Sequence, residues 1–223
     1  MQSSWMRSGP RLLALVFWGA LVVAVTPLAA AAEEDWSLDK NEDGIEVYTR
    51  PVEGSGIKQF KGVAIVHADV DGILSLLRDS DRFETWFPNT PESKLLAREG
   101  DVSYQYSVMA TPWPMADRDN VLRSTSTRNE ETGVVDITVV AAPDYHPIQG
   151  KRVRVQKAHG TWRLEPLEGD KTHVTFIMHL EPGGGIPQWM INARIVATPF
   201  EALTNLRTTL QASSPTPSAP SSE

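Results

Sequence analysis

Three consecutive glycines, Gly183 to Gly185, divide the C-terminal part of this 223-residue chain into two kinds of pattern. Before them, Val174, Phe176, Met178 and Leu180 alternate with other residues, the period of a strand with one buried face. After them, Pro187 suits a first helical turn, where its missing N–H would be unpaired anyway. Trp189, Ala193, Val196, Phe200, Leu203 and Leu210 then recur at spacings of three, four and seven, which predicts one helix with an apolar stripe. Pro199 falls inside that span and is expected to kink it. Glycine reaches backbone angles that other residues avoid, so the run reads as a hinge. A phosphate-cradling loop is the poorer reading, because no Lys-Ser/Thr follows. A helix of this length with one apolar face needs a surface, and the chain before it has to supply that surface.

The preceding chain is rich in strands. Residues 45–49 and 57–66 form a hairpin by pattern, and the second strand reads as central because both its faces are partly apolar. Asp69 and Asp71 offer caps to a helix carrying Ile73, Leu76, Leu77 and Phe83 on one face, stopped by Pro88. Further strands are expected at residues 102–108, 119–127, 134–141 and 153–164, the last with Gly160, Trp162 and Leu164 on one face. In residues 102–108, apolar and aromatic positions, Tyr104 and Tyr106 among them, alternate with small polar ones. Strands segregated from helices argue for an α+β fold, a curved antiparallel sheet closing on a long C-terminal helix.

Both ends of the chain are of different material. Arg7 and Arg11 precede 14 uncharged, mostly apolar residues, 12–25, and an alanine run follows at 29–32. That order describes a secretory signal peptide over residues 1–32, cut after Ala31 or Ala32, and its apolar core is short of the roughly 20 residues a spanning helix needs. An exported protein, periplasmic or secreted, is the expectation. Removing the two arginines leaves 19 basic against 28 acidic residues, a net charge of -9. That balance excludes nucleic acid as a partner, since phosphate contacts need clustered Lys and Arg. Residues 212–223 are Ser/Pro-rich and read as a disordered tail. One domain, residues 33–211, remains between these ends, and it is expected to be a monomer.

Few residues suggest covalent chemistry. The chain has no cysteine, which removes disulfides, thiol nucleophiles and thiolate metal sites. Its five histidines, at 67, 146, 159, 173 and 179, have no metal-like spacing and read as surface or edge residues. No G-x-S-x-G elbow occurs. No metal, cofactor or catalytic residue is implied. The densest polar cluster is Asp117-Arg118-Asp119-Asn120, which is either a solvated turn or a charge directed inward. The aromatics Tyr104, Tyr106, Trp113, Trp162, Trp189 and Phe200 either fill a core or line a pocket for an apolar ligand.

These residues resemble a known family. Thr111 to Leu122, TPWPMADRDNVL, is similar to the Pro-aromatic-Pro…Arg-Asp signature of steroidogenic-acute-regulatory-related lipid-transfer (START) domains. The opening DWSLDKNEDGIEVYTRPV, the segment DRFETWFPNTPESKLL and the closing LEPGGGIPQWMINARIVATPFEAL resemble that family's patterns in the same order. The resemblance implies a helix-grip fold: a curved sheet wrapped around a long C-terminal helix that roofs an apolar tunnel. It implies one bound lipid or other hydrophobic ligand, carried without covalent chemistry, and transient contact with a membrane. Arg118 and Asp119 then occupy the Arg-Asp motif, and residues 189–206 the lid helix. The ligand-binding residues expected together are Tyr104, Tyr106, Trp113, Arg118, Asp119, Trp162, Phe176, Met178, Trp189, Ala193, Val196 and Phe200. The stretch 35–211 is shorter than usual for the family, so an N-terminal helix is expected to be missing or reduced. Two other readings stand beside this one: an enzyme of cyclase or hydratase type acting on a hydrophobic substrate, and a non-catalytic envelope interaction module whose cavity its own side chains fill.

Overall fold

The structure is a computed structural model that describes residues 35–213. The expected signal segment and residues 214–223 of the expected tail lie outside the described residues. The first element is a strand, β1 (Ser37–Glu42), which a turn at Asp43 and Gly44 joins to β2 (Ile45–Val52). Next come β3 (Ser55–Val66), α1 (Val70–Arg78) and a one-turn helix α2 (Phe83–Trp86). Asp69 caps α1 by accepting a hydrogen bond from the Gly72 N–H at 2.7 Å. Phe83 therefore belongs to a separate turn, and the helix expected around it ends at Arg78.

Five antiparallel strands follow: β4 (Glu92–Glu99), β5 (Val102–Met109), β6 (Arg118–Arg128), β7 (Val135–Ala141) and, after the short β8 (Val153–Arg154), β9 (Lys157–Leu167). The last strand is β10 (Lys171–Glu181), and α3 (Gln188–Arg194) and α4 (Ala197–Ser213) close the fold. The ten strands make one sheet in the order β1-β2-β3-β10-β9-β7-β6-β5-β4, with β8 alongside β6 in the only parallel pairing among the described residues. The single strand expected at residues 153–164 is thus two: β8 leaves the sheet's path, and β9 pairs with β7 and β10.

The long C-terminal helix is likewise two pieces. α3 ends at Arg194, and α4 begins at Ala197 after a turn at Ile195 and Val196. Pro199 therefore sits in the first turn of α4, where its ring is tolerated, and the break lies before it. Ala202, Leu203 and Leu206 of α4 are fully buried against the sheet. Gly62 of β3 permits that approach, since a Cβ there would lie 2.8 Å from Leu203 Cδ1 and 3.2 Å from Pro199 Cβ. Farther along α4, Arg207 donates to three backbone oxygens, of Asp43, Gly44 and Ile65, at 2.7, 2.8 and 3.1 Å. These bonds tie the helix to the β1–β2 turn and to β3.

The core runs between the inner sheet face, α1 and α4, and includes Ile45, Phe60, Ile73, Trp86, Leu164, Val174, Phe176 and Leu203. A second, smaller cluster of Tyr106, Val108 and Val121 lies on the far side of β5 and β6.

A lined cavity under the split helix

Between the inner face of β5, β6, β7, β9 and β10, the α2 region and α3 lies a cavity of about 330 Å³. Its apolar wall follows from strand alternation: Trp162 on β9, and Phe176, Met178 and Leu180 on β10, point the same way because they are two residues apart. Trp162 and Phe176 are directly opposite in the β9–β10 register and stack with ring centroids 3.8 Å apart. Phe60 meets Phe176 edge-on at 5.0 Å, and Phe83 and Phe87 stack at 4.4 Å beyond them.

The opposite wall is polar. Ser103, Gln105 and Ser107 of β5 face the cavity together with Asn120, Ser124 and Ser126 of β6. Ser103 is opposite Ser124, and Ser107 opposite Asn120, so hydroxyl and amide groups form a band across two strands. Asn120 is only 6% exposed, and its Oδ1 has no hydrogen-bond partner among the described residues. An orphaned buried acceptor costs about 1–3 kcal/mol of desolvation. Among the described residues, no Asp, Glu, His, Lys or Tyr lines the cavity, and its two charged residues are Arg78, which pairs with Asp101 at 2.9 Å, and the exposed Arg194.

Of the twelve residues expected to bind ligand, Trp162, Phe176 and Met178 line the cavity. The other nine do not, each for a physical reason. Tyr104 and Tyr106 lie on the outer face of β5, because the small polar residues of that strand take the inner one. The segment 142–155 covers the aromatic face: Tyr145 stacks on Tyr104 at 3.7 Å, and Arg152 donates to the Tyr106 hydroxyl at 2.6 Å. Burial raises the Tyr106 pKa above the usual phenol value, with the nearby Arg152 opposing. Trp113 and Trp189 are 92% and 69% exposed and project outward beside the lining residues Pro112 and Met190. Ala193 is exposed on α3. Val196 and Phe200 pack against the main core, and Lys40 lies over the Phe200 ring at 3.7 Å.

Arg118 and Asp119 are both fully buried, yet neither reaches the cavity. Arg118 Nη2 donates to the carbonyls of Gly183 and Gly184 at 3.0 and 3.2 Å, and Nη1 donates to the Ala116 carbonyl. Burial lowers its pKa from the ordinary arginine value, with Asp117 opposing. The three glycines all have positive φ, 63° to 73°, and so carry β10 around to α3 while turning carbonyls toward the guanidinium. Asp119 accepts two hydrogen bonds from Arg154, Nε at 3.0 Å and Nη2 at 2.8 Å. Arg154 also donates to the carbonyls of Pro143, His146 and Pro147, which fastens the covering segment onto β6. The Arg-Asp pair thus organises the two flanks of the cavity from behind its wall.

Sequence reasoning missed the polar band. The alternation in β5 was visible, but alternation gives two faces and does not say which is inside. His179, expected at a surface or edge, is buried and packs beside His159, its direct partner across β9 and β10, at 5.3 Å between rings. No group of three metal-ligating side chains occurs among the described residues.

α3 has no buried residue and covers the cavity with Met190, Ile191 and Arg194. It is clipped to β3 by Asn192, which accepts from the Lys58 N–H at 3.1 Å and donates to the Gly56 carbonyl at 3.0 Å.

Comparison with known proteins agrees with this architecture. A sequence model of the START domain matches residues 17–216. An uncharacterized protein of Pseudomonas aeruginosa is 37% identical over 194 residues, covering 83% of this chain and 96% of that one. The human phosphatidylcholine transfer protein is 27% identical over 182 residues, covering 79% and 83%. The crystal structure of a STAR-related lipid transfer protein fragment from Xanthomonas axonopodis superposes with a TM-score of 0.75 at 39% identity, over 79% of this chain and 98% of that one. The chain belongs to the START domain family.

Proposed function

We propose that this protein holds one lipid or other hydrophobic molecule in the cavity beneath α3 and carries or presents it, without covalent chemistry, outside the cytoplasm. The observation that carries the reading is the cavity itself. Its volume of about 330 Å³ reaches the range of ligand sites, roughly 300–1,000 Å³, and an aromatic wall backs it. START domains typically bind lipids or hydrophobic ligands, and similar proteins are named for lipid transfer. The exported location rests on the pattern of residues 1–32.

Entry and release follow from the mechanics of α3. It is bounded by the glycine run on one side and the turn at Ile195 on the other, and it buries no side chain of its own. Moving it breaks the two Asn192 bonds, lifts the half-buried Met190 and Ile191 off the cavity and parts Gln188 from Gly56. Lining residues that reach solvent include Asn89, Ala110, Pro112 and Arg194, which places the opening between the 110–112 loop and α3. The exposed Trp113 and Trp189 flank that opening, and indole rings favour the headgroup level of a bilayer. Each apolar carbon transferred from membrane to cavity keeps its burial, about 0.8 kcal/mol per methylene relative to water. A cyclase or hydratase would need an acid–base pair in the cavity, and the lining supplies none.

Lipid extraction from purified protein, followed by mass spectrometry and titration with a fluorescent lipid, tests the proposal. One lipid species recovered near one per chain, or saturable binding at one site, is expected. Lipid-free preparations that also fail to bind the fluorescent lipid would overturn it.

A further inference from the structure

We propose that His179 is a proton-operated latch on the lid: with both ring nitrogens protonated it holds the tip of the β2–β3 hairpin, and through that tip α3, against β10. Ligand then leaves faster as the pH rises. The release step rests on the lipid-carrier reading; the latch itself does not.

The tip is defined by where the strand ladders stop. β2 and β3 pair as far as Val52 and Ser55, whereas β1 reaches only Thr49 and β10 only Phe60. Residues 50–59 therefore project as a two-stranded ribbon with no paired strand on either side, an arrangement that is marginal by itself. This ribbon is what α3 is clipped to. Asn192 bonds the Lys58 N–H and the Gly56 carbonyl, and the Gln188 side chain lies over Gly56, where a Cβ would come within 2.0 Å of its Oε1. Lid and tip are thus one piece, and freeing the tip frees the lid without breaking the Asn192 bonds.

Side chains hold the tip in place of a ladder. Ile57 is buried, and the Arg50 guanidinium lies over the Trp36 ring at 4.4 Å. From β10, His179 Nδ1 meets the Lys58 carbonyl at 3.4 Å, and its Nε2 faces Glu181 Oε1 at 3.6 Å. A carbonyl oxygen can only accept, so Nδ1 carries a proton. The neutral ring then turns a lone pair toward the carboxylate, while the imidazolium turns a second N–H toward it. Both contacts are favourable together only in the doubly protonated ring. His179 is 3% exposed, so its charge needs a partner, and Glu181 supplies one.

The neighbouring charges leave that proton to His179. Lys58 Nζ on β3 is turned to Thr49 Oγ1 at 3.3 Å, and Lys157 on β9 pairs with Glu181 at 3.3 Å. The His159 ring, also on β9, lies 5.3 Å from that of His179; burial, His179 and Arg50 of β2 together lower its pKa. Burial raises the Glu181 pKa, but bonds from Lys157, His179 and Ser55 outweigh it and hold the carboxyl below its ordinary value. Glu181 therefore stays ionised between pH 5 and 8, where imidazoles titrate. Glu53 is exposed in the turn of the tip, and Arg194, the ionisable residue of α3, lines the cavity instead.

Two readouts on the purified full-length protein test the latch. In the first, protein loaded with NBD-labelled phosphatidylcholine or NBD-labelled cholesterol is chased with phosphatidylcholine vesicles, which keep their charge over this range. Release is expected to be about fivefold faster at pH 8.0 than at pH 5.5, the scale of one partly exposed ion pair. In His179→Gln the ratio should fall to about one. An unchanged ratio would overturn the proposal and assign the effect to the four other histidines. Asn192→Ala uncouples lid from tip, so it should release faster than wild type at pH 5.5 and lose the pH dependence; a retained dependence would also overturn the proposal. In the second readout, hydrogen exchange of residues 55–59, corrected for intrinsic rates, is followed by mass spectrometry without ligand. Protection should be about fivefold greater at pH 5.5 than at pH 8.0 in the wild type and equal at both in His179→Gln, or in Glu181→Gln should the first variant not fold. Equal protection in the wild type, or an unchanged difference in a folded variant, would overturn the latch. Failure of both labelled lipids to bind would refute the carrier reading, and hydrogen exchange would still decide the latch.

Discussion

Replacing Asp119 by alanine separates a structural Arg-Asp pair from a functional one. Asp119 accepts from Arg154 Nε and Nη2 at 3.0 and 2.8 Å, and both side chains are buried. Removing one partner of such a pair costs about 3–5 kcal/mol, because the other charge is left uncompensated. Here Arg154 keeps the carbonyls of Pro143, His146 and Pro147, so the loss should lie near the lower end, about 3 kcal/mol. With a urea dependence of about 2 kcal/mol per molar for a domain of this size, the midpoint should drop by about 1.5 M. Urea unfolding followed by tryptophan fluorescence reads this directly. Fluorescent-lipid affinity at low temperature, where the variant stays folded, should be unchanged within about twofold, since neither residue lines the cavity. A midpoint shift below about 0.5 M, or lost binding in a folded variant, would refute the reasoning. The double change Asp119→Leu with Arg154→Met should recover only part of the loss, because three carbonyls lose their donor.

Three further outcomes follow from close contacts and charge. Gly184→Ala puts a Cβ on a residue with φ of 65° and 2.9 Å from Arg118 Nη2; it should cost about 2 kcal/mol, lower Tm by about 6 °C and speed lipid exchange, as read by scanning calorimetry and dilution kinetics. Gly62→Ala drives a Cβ to within 2.8 Å of Leu203 Cδ1; it should cost about 1–3 kcal/mol in urea unfolding while leaving the polar band untouched. Desolvation, His179 and Arg50 together hold His159 below the usual imidazole range. The unfolded chain then takes up more protons than the native one as pH falls, so stability decreases from roughly pH 7 to 5, and His159→Gln should flatten that slope in urea midpoints taken across the range.

Much of the frame was legible because it rests on local period. β5, β6, β7 and β10 follow from alternation, and the glycine run marks the end of β10. The edge strands β1 and β4 escaped notice because SLDKNE and ESKLLARE carry little alternation, and a strand paired on one side alone needs less of it. The turn at Ile195 and Val196 was hidden since the apolar spacing continues through it. Which face of β5 lines the cavity depended on a segment about forty residues away: Tyr145 and Arg152 cover Tyr104 and Tyr106, so the aromatics turn outward and the serines inward. Arg118 could not be assigned a face either, because its acceptors, Gly183 and Gly184, arrive from the other end of the domain.

The claim at the centre of this account is that a ligand occupies the space between the aromatic wall and the polar band. Leu122 lines that space on β6, opposite Gln105, so Leu122→Trp narrows it without touching either Arg-Asp flank. Native mass spectrometry of the wild-type protein and this variant, both verified as folded by circular dichroism, tests the claim most directly. The wild type should carry one ligand mass per chain, and the variant should carry clearly less of it. The same adduct on both proteins, or on neither, would contradict it.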